Sequence, residues 1–273
     1  MIWDEDAEKA VADVPFFVRG KVRRQVEKEA SEKGSRRVLL KHVQACRQKF
    51  LSGRAMESKG FRIETCFGSG ACENRAVASE ALVHELEKML LSRNIAGFLK
   101  DRVIGPLKIH HEFSICVSDC PNACSRPQIA DVGIIGAVRP RIMEEFCTGC
   151  GACSSSCIES AIRAEGGDGG RKRSAPPAID ANKCVMCGNC VSACPSGAME
   201  KAEKGWRIMT GGKLGRHPQL GRELGGIYSQ EGVMAAVDRC LDIYFAHNIG
   251  GERLGVILNR VEFDPVSTGR NSK

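Results

Sequence analysis

The chain has 273 residues, 15 of them cysteine, and a formal net charge of +7 from 40 basic and 33 acidic residues. It contains no apolar run near the roughly 20 residues that a membrane helix needs. Its acidic start, residues 1–6, lacks the apolar core of a signal peptide. These features argue against membrane insertion and against a secreted disulfide scaffold. They predict a cytoplasmic protein whose reduced thiols bind metal, in an anaerobic or low-oxygen host.

The excess of basic residues by itself would favour a nucleic-acid partner. Metal sites built on the 15 cysteines would weaken that interpretation: an oxidised iron–sulfur cubane with four thiolates carries roughly −2, so three such clusters would offset most of the excess. We therefore expect no nucleic acid. The basic residues are better interpreted as counter-charge for cofactors and for an anionic substrate.

Residues 4–50 are predicted to be helical. Apolar residues recur at helical spacing after Val14–Pro15 until Gly34 ends the pattern, and a second helix starts near Arg37. This pattern, with Trp3 before it, resembles the small helical module at the end of a light-independent protochlorophyllide reductase subunit. The resemblance implies a lid or packing role over a tetrapyrrole or a cluster. A helical hairpin that only caps a domain is the alternative.

Two cysteine pairs lie near the centre of the chain. Five residues separate Cys66 from Cys72, three separate Cys120 from Cys124, and 47 residues lie between the pairs. The pairs reach one metal centre only if the intervening chain folds back on itself. Four thiolates are the ligand set of a cubane iron–sulfur cluster, and four structural or free cysteines are the alternative.

The residues around these pairs predict the elements that carry them. Apolar periodicity predicts a helix from Glu73 to about Ser92. Alternation predicts a strand over residues 107–117 that leads into Cys120, and a further strand over residues 129–138. Cys66 and Cys72 are then expected in the loop before the helix, where its positive end favours an anionic cluster.

The run from Cys120 to Arg126, Cys-Pro-Asn-Ala-Cys-Ser-Arg, together with the upstream pair, resembles the sirohaem and [4Fe-4S] site of the sulfite and nitrite reductases. The resemblance implies that Cys66, Cys72, Cys120 and Cys124 hold one cubane. It further implies that Cys124 bridges this cluster to the sirohaem iron and that Asn122 belongs to the cofactor-binding residues.

Several basic residues are candidates for contacts with sirohaem carboxylates or with the substrate anion. Residues 206–216 resemble the strand and glycine loop that follow the cysteine motifs in sirohaem reductases. By position in the resembling motifs, the catalytic and cofactor-binding candidates are Arg126, Lys213 and Arg216. Arg62 and Arg75 are further candidates. A surface salt bridge is the alternative for each of them.

An internal repeat follows the central region. Two runs have the spacing Cys-x2-Cys-x2-Cys-x3-Cys and resemble the bacterial two-cluster ferredoxin: Cys147, Cys150, Cys153 and Cys157, then Cys184, Cys187, Cys190 and Cys194. In that family the fourth cysteine of each run ligates the cluster of the other run. The resemblance therefore implies one cluster on Cys147, Cys150, Cys153 and Cys194, and one on Cys184, Cys187, Cys190 and Cys157. A zinc site is the alternative.

Two details of the repeat concern its turns. Ile158 stands where the family has a proline after the fourth cysteine of the first run, a departure that affects turn geometry more than ligation. The Gly, Arg, Lys and Pro-rich insert over residues 166–177 is predicted to be a surface loop.

After the repeat, the pattern predicts a helix over residues 231–246 and a helix or strand over 253–261.

These assignments predict an α+β fold: a sirohaem-reductase-type α/β half-unit with an inserted bacterial 2[4Fe-4S] ferredoxin domain and a small N-terminal helical domain. The predicted modules are the helical module at 1–55, the reductase domain in two parts at 56–142 and 204–265, the ferredoxin insert at 143–203, and a tail at 266–273. Dissimilatory-type sulfite reductase subunits resemble this arrangement. The best-known enzymes of the family carry two copies of the α/β unit, whereas this chain has one.

The resemblance implies a reductase of sulfite or nitrite with three [4Fe-4S] clusters and a sirohaem, supplied with electrons by a redox partner protein. Because the chain has a single α/β unit, a homo- or hetero-oligomer whose other member completes the site is also open. Two other functions stay open: an electron-transfer subunit with three clusters and no sirohaem, and a tetrapyrrole-handling protein. The visible spectrum of the anaerobic protein distinguishes the sirohaem reductase from the electron-transfer subunit without sirohaem.

Overall fold

A computed structural model gives the fold for residues 1–12, 14, 16–53, 58–66, 72–163 and 176–261. The chain divides into two compact units, Met1–Ser58 and Lys59–Lys273. In the described part of the chain, no helix combines the length and the apolar character that crossing a membrane requires.

The first unit is mainly helical, as predicted. Its elements are β1 (Ile2–Trp3), α1 (Glu5–Ala12), α2 (Phe16–Glu32), β2 (Arg37–Val38) and α3 (Leu40–Gly53). The sequence analysis missed the short parallel pairing of β1 with β2. A small core of alanine and valine side chains, among them Val11, Val26 and Val38, holds this unit together. The Trp3 indole N–H donates to Glu27 at 2.9 Å, which ties β1 to α2.

The second unit is built on a mixed sheet. Its elements in chain order are β3 (Phe61–Thr65), α4 (Glu80–Ser92), α5 (Ile95–Lys100), β4 (Phe113–Ser118), β5 (Val132–Ile142), α6 (Ala152–Ser155), β6 (Ile162–Arg163), β7 (Ala178–Ile179), α7 (Asn189–Ala193), β8 (Met199–Thr210), β9 (Arg222–Tyr228), α8 (Gln230–His247) and α9 (Leu254–Ile257). The five-stranded sheet has the order β3-β4-β5-β8-β9. The first three strands are parallel, and β8 and β9 are antiparallel to their neighbours.

One face of this sheet packs against helices. Phe113, Ile115 and Val117 alternate along β4 and enter an apolar core with side chains of α4, α5, α8 and α9. In α4 the contribution is the stripe Leu82, Leu86 and Leu90, at the spacing that places side chains on one helix face. The predicted helix over residues 231–246 is confirmed as α8.

The segment after β4 covers the opposite face. The Ser118 hydroxyl lies 2.7 Å from that of Ser125, so residues 119–130 fold back over the sheet. The backbone there approaches β5 so closely that a Cβ added at Gly133 would lie 2.1 Å from the Pro127 carbonyl oxygen. Glycine is therefore required at this position.

A buried ion pair closes the second unit. Asp131, which is fully buried, accepts hydrogen bonds from the backbone N–H groups of Ser114 at 2.8 Å and Leu254 at 3.0 Å. Arg253 reaches the same carboxylate at 2.8 Å. The carboxylate thereby joins β4, the residue before β5 and the start of α9.

The helix predicted from Glu73 was wrong in its start, because α4 begins only at Glu80. The backbone N–H groups of Ala76 and Val77 donate to the Asp119 carbonyl at 3.0 Å each, so they are unavailable to a helical ladder. The N-terminus of α4 therefore does not directly follow Cys72, as the sequence analysis had expected.

The two strands around the second cysteine pair also begin later than predicted. Residues 109–111 form a one-turn 3-10 helix and β4 starts at Phe113, while residues 127–129 form another such turn before β5. The region over 253–261 contains the one-turn helix α9. Most of the predicted loop at 166–177 and the tail at 266–273 lie outside the described residues.

Ser229 caps the N-terminus of α8. Its side-chain oxygen accepts a hydrogen bond from the Gly232 N–H at 3.2 Å. Ser229→Ala is expected to lower the free energy of unfolding by about 1 kcal/mol, because one N–H of the first turn loses its partner. Ser229→Asp retains an acceptor and should stay near the original protein in urea denaturation. Equal losses in the two variants would contradict the capping role.

Candidate functional site

The parallel pairing of β3 with β4 brings the two central cysteine loops together. Parallel strands end at the same edge of a sheet, and the register pairs Thr65 with Val117. Cys66 follows β3 directly, and its N–H donates to the Val117 carbonyl at 3.1 Å. The Asp119 N–H lies 3.5 Å from the Cys66 sulfur. Two residues far apart in sequence, Cys66 and Cys120, therefore meet at one edge.

The other two thiols of this set lie close enough to affect Cys120. Burial raises the pKa of the Cys120 thiol, and the charges of Cys124, Cys72 and Cys66 act in the same direction. The Asn122 side-chain amide donates to the Cys124 sulfur at 3.0 Å. Cys66 is buried whereas Cys124 is exposed. The set thus runs from the interior to the surface, with Cys124 as its most accessible sulfur.

An ion pair links the two loops that carry these cysteines. The Arg75 Nε donates to the Asp119 carboxylate at 2.6 Å, and the same guanidinium also pairs with Glu80. These hydrogen bonds, that to Asp119 first, raise the pKa of Arg75. Arg75 is therefore paired with two carboxylates, and a salt bridge is the alternative that the sequence analysis left open for it.

The repeat region forms two cavities lined by thiols. The larger one has a volume of about 370 Å³, and the repeat cysteines that line it come from both runs: Cys157, Cys184, Cys187 and Cys190. The smaller one is lined by the remaining four: Cys147, Cys150, Cys153 and Cys194. Each set takes three cysteines from one run and the fourth from the other.

The two runs share one backbone pattern. Gly151 and Gly188 have φ values of +78° and +79° and precede the short helices α6 and α7. Two residues earlier, Gly149 and Met186 also have positive φ, +69° and +61°. A left-handed methionine is uncommon. Its carbonyl accepts the Val138 N–H at 2.8 Å, so a contact with β5 accompanies the strained conformation.

The chemistry of these sets fits a cubane. Burial raises the pKa of Cys190 to about 12 and also raises that of Cys153, which favours the protonated thiols. Iron would have to displace these protons, because it binds the thiolate. The Ala161 N–H donates to the Cys157 sulfur at 3.3 Å, and a hydrogen bond of this kind would tune the potential of a cluster bound there. The four thiols of each set line one cavity, which is the arrangement that the four irons of a cubane would need.

The second run is held against the sheet. β5 extends beyond the end of β4, and its residue Val138 forms a parallel bridge with Cys187. Arg207 of β8 lies 3.5 Å from the Val185 carbonyl and pairs with Glu223 of β9 at 2.6 Å. The larger cavity is consequently lined also by residues of the central site, Cys120, Pro121 and Asn122.

Two of the basic candidates lie on the sheet face that the 119–130 segment overlies. Arg126 and Arg62 each approach Glu64 to 3.5 Å, and the Arg126 side chain is 71% exposed. Burial raises the pKa of Cys116 to about 11, and the positive charges of Arg62 and Arg126 act in the opposite direction.

Lys213 and Arg216 lie in the loop after β8, away from the strand ends that carry Cys66 and Cys120. The register pairs Thr210 with Val132, whereas the end of β4 pairs with Ile135. The loop after β8 thus begins at least three strand residues, roughly 10 Å, from the edge where Cys66 and Cys120 meet. The Lys213 ammonium donates to the His217 carbonyl at 2.8 Å, and Arg216 is exposed.

The sequence analysis missed Asp119 as part of the central site. This carboxylate is 1% exposed and immediately precedes Cys120. Its position directly before Cys120 could have indicated a role, because a negative charge beside the thiolates of an anionic cluster needs a specific partner. Asn74, which lines the larger cavity, was also missed, and no sequence pattern indicated it.

Comparison with protein families finds two matches. Residues 58–267 match the family described as nitrite and sulphite reductase 4Fe-4S domain. Residues 3–47 match the family described as proto-chlorophyllide reductase 57 kD subunit. The first match covers most of the second structural unit, and the second match lies within the first unit.

Curated relatives include two sulfite reductases. Coenzyme F420-dependent sulfite reductase of Methanocaldococcus jannaschii is 35% identical over 200 residues, which cover 72% of this chain and 28% of that protein. One of the subunits of the anaerobic sulfite reductase of Salmonella typhimurium is 31% identical over 94 residues, 34% of this chain and 23% of that protein. The chain thus matches less than a third of the length of either relative. Among solved structures, dissimilatory sulfite reductase I aligns over 73% of this chain and 49% of its own, with 18% identity and a TM-score of 0.49.

Proposed function

The chain belongs to the nitrite and sulphite reductase 4Fe-4S domain family, and on that premise we propose that it is a sirohaem-dependent reductase of sulfite or nitrite. In this proposal two ferredoxin-type clusters pass electrons to a third cluster that is coupled to sirohaem. The protein acts in the cytoplasm and receives electrons from a redox partner protein. A second subunit, identical or different, completes the substrate pocket.

The observation that carries the proposal is the approach of four thiols from two distant loops. Cys66 and Cys120 adjoin at the ends of β3 and β4, and Cys72 and Cys124 act electrostatically on Cys120. We propose that these four hold the sirohaem-coupled cubane. The exposed sulfur of Cys124, steadied by the Asn122 amide at 3.0 Å, is the proposed bridge.

The proposed electron path uses the two cysteine sets of the repeat. Cys120, Pro121 and Asn122 line the same cavity as the set that contains Cys184. This proximity favours that set as the immediate donor to the central cluster. Cys153 of one set and Cys190 of the other belong to one buried cluster, which supports a short distance between the two ferredoxin-type sets.

When bound, sirohaem would supply the iron chemistry that reduces the oxyanion. The chain would contribute positive charge: we propose Arg126, Lys213 and Arg216 as contacts to sirohaem carboxylates or to the anion. Arg62, beside Arg126, is a further candidate.

The spectrum and iron content of the anaerobically purified chain test this proposal. Expression in a host that makes sirohaem is expected to give a sirohaem-type visible spectrum and about twelve iron atoms in three cubanes, besides the haem iron. A protein with broad iron–sulfur absorption alone would contradict the sirohaem part. About eight cluster iron atoms would contradict the central cluster.

An electron-transfer subunit with three clusters and no sirohaem is the second candidate. It is favoured by the present partners of two proposed anion contacts: Arg126 approaches Glu64, and Lys213 donates to the His217 carbonyl. Under this alternative the chain passes electrons to a larger complex and shows no sulfite or nitrite reduction. Twelve cluster irons without a sirohaem spectrum would support it.

A further inference from the structure

We propose that the ion pair of Arg75 and Asp119 positions the loops of the central cluster and balances the charge beside it. The inference rests on the proposed function, since it assumes a cluster on Cys66, Cys72, Cys120 and Cys124. Both residues are positioning residues: they would act through the cysteine loops and through charge.

The pair connects the two loops at their cysteines. Arg75 lies three residues after Cys72 and Asp119 lies one residue before Cys120. The Arg75 Nε to Asp119 Oδ2 distance is 2.6 Å. Asp119 also holds the first loop through its carbonyl, which accepts the N–H groups of Ala76 and Val77 at 3.0 Å each.

Asp119 also contacts the cysteine set itself. Its N–H lies 3.5 Å from the Cys66 sulfur. One residue thus touches a sulfur of the first loop, the turn after Cys72 and the start of the second loop. The relative placement of Cys72 and Cys120 therefore depends on the contacts that Asp119 makes with the first loop.

The charge of Asp119 is poorly compensated except by Arg75. Its side chain is 2% exposed, and its Oδ1 has no hydrogen-bond partner among the described residues. A buried carboxylate beside an anionic cluster is unfavourable unless a cation offsets it. Arg75, with 22% of its side chain exposed, is the cation paired with it.

Charge balance makes opposite predictions for the two residues. Arg75→Met leaves a net negative charge beside the cluster, so reduction becomes harder and the reduction potential of the central cluster falls. Asp119→Asn removes one negative charge while Arg75 keeps its second partner Glu80, so the potential rises, and the backbone contacts of residue 119 remain. Arg75→Lys keeps the charge and should bring the potential back toward that of the original protein. A merely structural pair would not produce shifts of opposite sign.

Positioning adds a second readout. Arg75→Met is expected to release the iron of the central cluster to a chelator roughly tenfold faster or more, because the broken pair leaves a buried charge unpaired. The matched control is Arg93→Met. Arg93 also bridges two carboxylates, Asp238 and Asp242, but between α4 and α8. Its release rate and potential should equal those of the original protein.

The experiment is an anaerobic redox titration of the full chain, followed by electron paramagnetic resonance, with iron counted in each variant. Potential shifts of opposite sign in Arg75→Met and Asp119→Asn, absent in Arg93→Met, are the expected result. Unchanged potentials, or shifts of the same sign, would overturn the inference while leaving the proposed function intact. A central cluster missing already from the original protein would refute the proposed function and this inference with it.

Discussion

Cys120→Ala is expected to remove the central cluster and to abolish reduction of sulfite or nitrite. Cys120 is half-buried at the end of β4, and the other three thiols of its set act on its pKa. Without this ligand, cluster iron should fall from about twelve to about eight atoms, because the two ferredoxin-type cubanes use other cysteines. Activity should fall by at least about 100-fold, since electrons no longer reach the substrate site.

Iron analysis and electron paramagnetic resonance of the anaerobic protein measure both parts of this prediction. Cys116→Ala is the matched control, because Cys116 is a buried thiol on β4, the strand that leads to Cys120, but belongs to none of the three proposed sets. It should keep all three clusters. An unchanged iron count in Cys120→Ala, or loss of the ferredoxin-type signals, would contradict the assignment of Cys120.

Asp131→Ala is expected to lower the stability of the second unit by about 3–5 kcal/mol, as for other buried pairs that lose one partner. The fully buried carboxylate receives the N–H groups of Ser114 and Leu254 and pairs with Arg253. Its removal leaves two backbone donors and one largely buried cation without their acceptor. The midpoint of urea denaturation, measured anaerobically, should move to clearly lower urea.

Two variants show whether the loss comes from the unpaired charge. Asp131→Ala combined with Arg253→Met should be less destabilised than the sum of the single changes, because the double variant buries no lone cation. Asp238→Ala, at an exposed pair with Arg93, should change stability by less than about 1 kcal/mol. Additive losses at Asp131 and Arg253 would mean that the two side chains are not energetically coupled.

Local patterns predicted much of the second unit correctly. The stripe that includes Leu82, Leu86 and Leu90 indicated a helix, and the structure has α4 there. The pattern over residues 231–246 indicated a helix, and the structure has α8 there. In these elements the apolar period in the sequence matches the face that is buried. Family membership is also consistent with the motif from Cys120 to Arg126, on which the resemblance to sulfite and nitrite reductases was stated.

Element boundaries near the site were predicted less well, because tertiary contacts decide them. Apolar periodicity cannot show that the N–H groups of Ala76 and Val77 bind the Asp119 carbonyl, which delays α4 until Glu80. Nor does the alternation that suggested a strand from residue 107 reveal the turn at 109–111. A local pattern carries no information on a partner more than forty residues away.

By itself, the sequence determined the cysteine repeat, the main helices and the likeness to one family, because these depend on spacing within short segments. The tertiary structure decided which thiols adjoin. Parallel pairing of β3 with β4 sets Cys66 beside Asp119, and the extension of β5 along β8 sets Cys187 beside Val138. It also decided that Arg75 binds Asp119 instead of standing free for an anion. The physical reason is that strand register and buried ion pairs are long-range interactions, fixed only when the whole sheet is assembled.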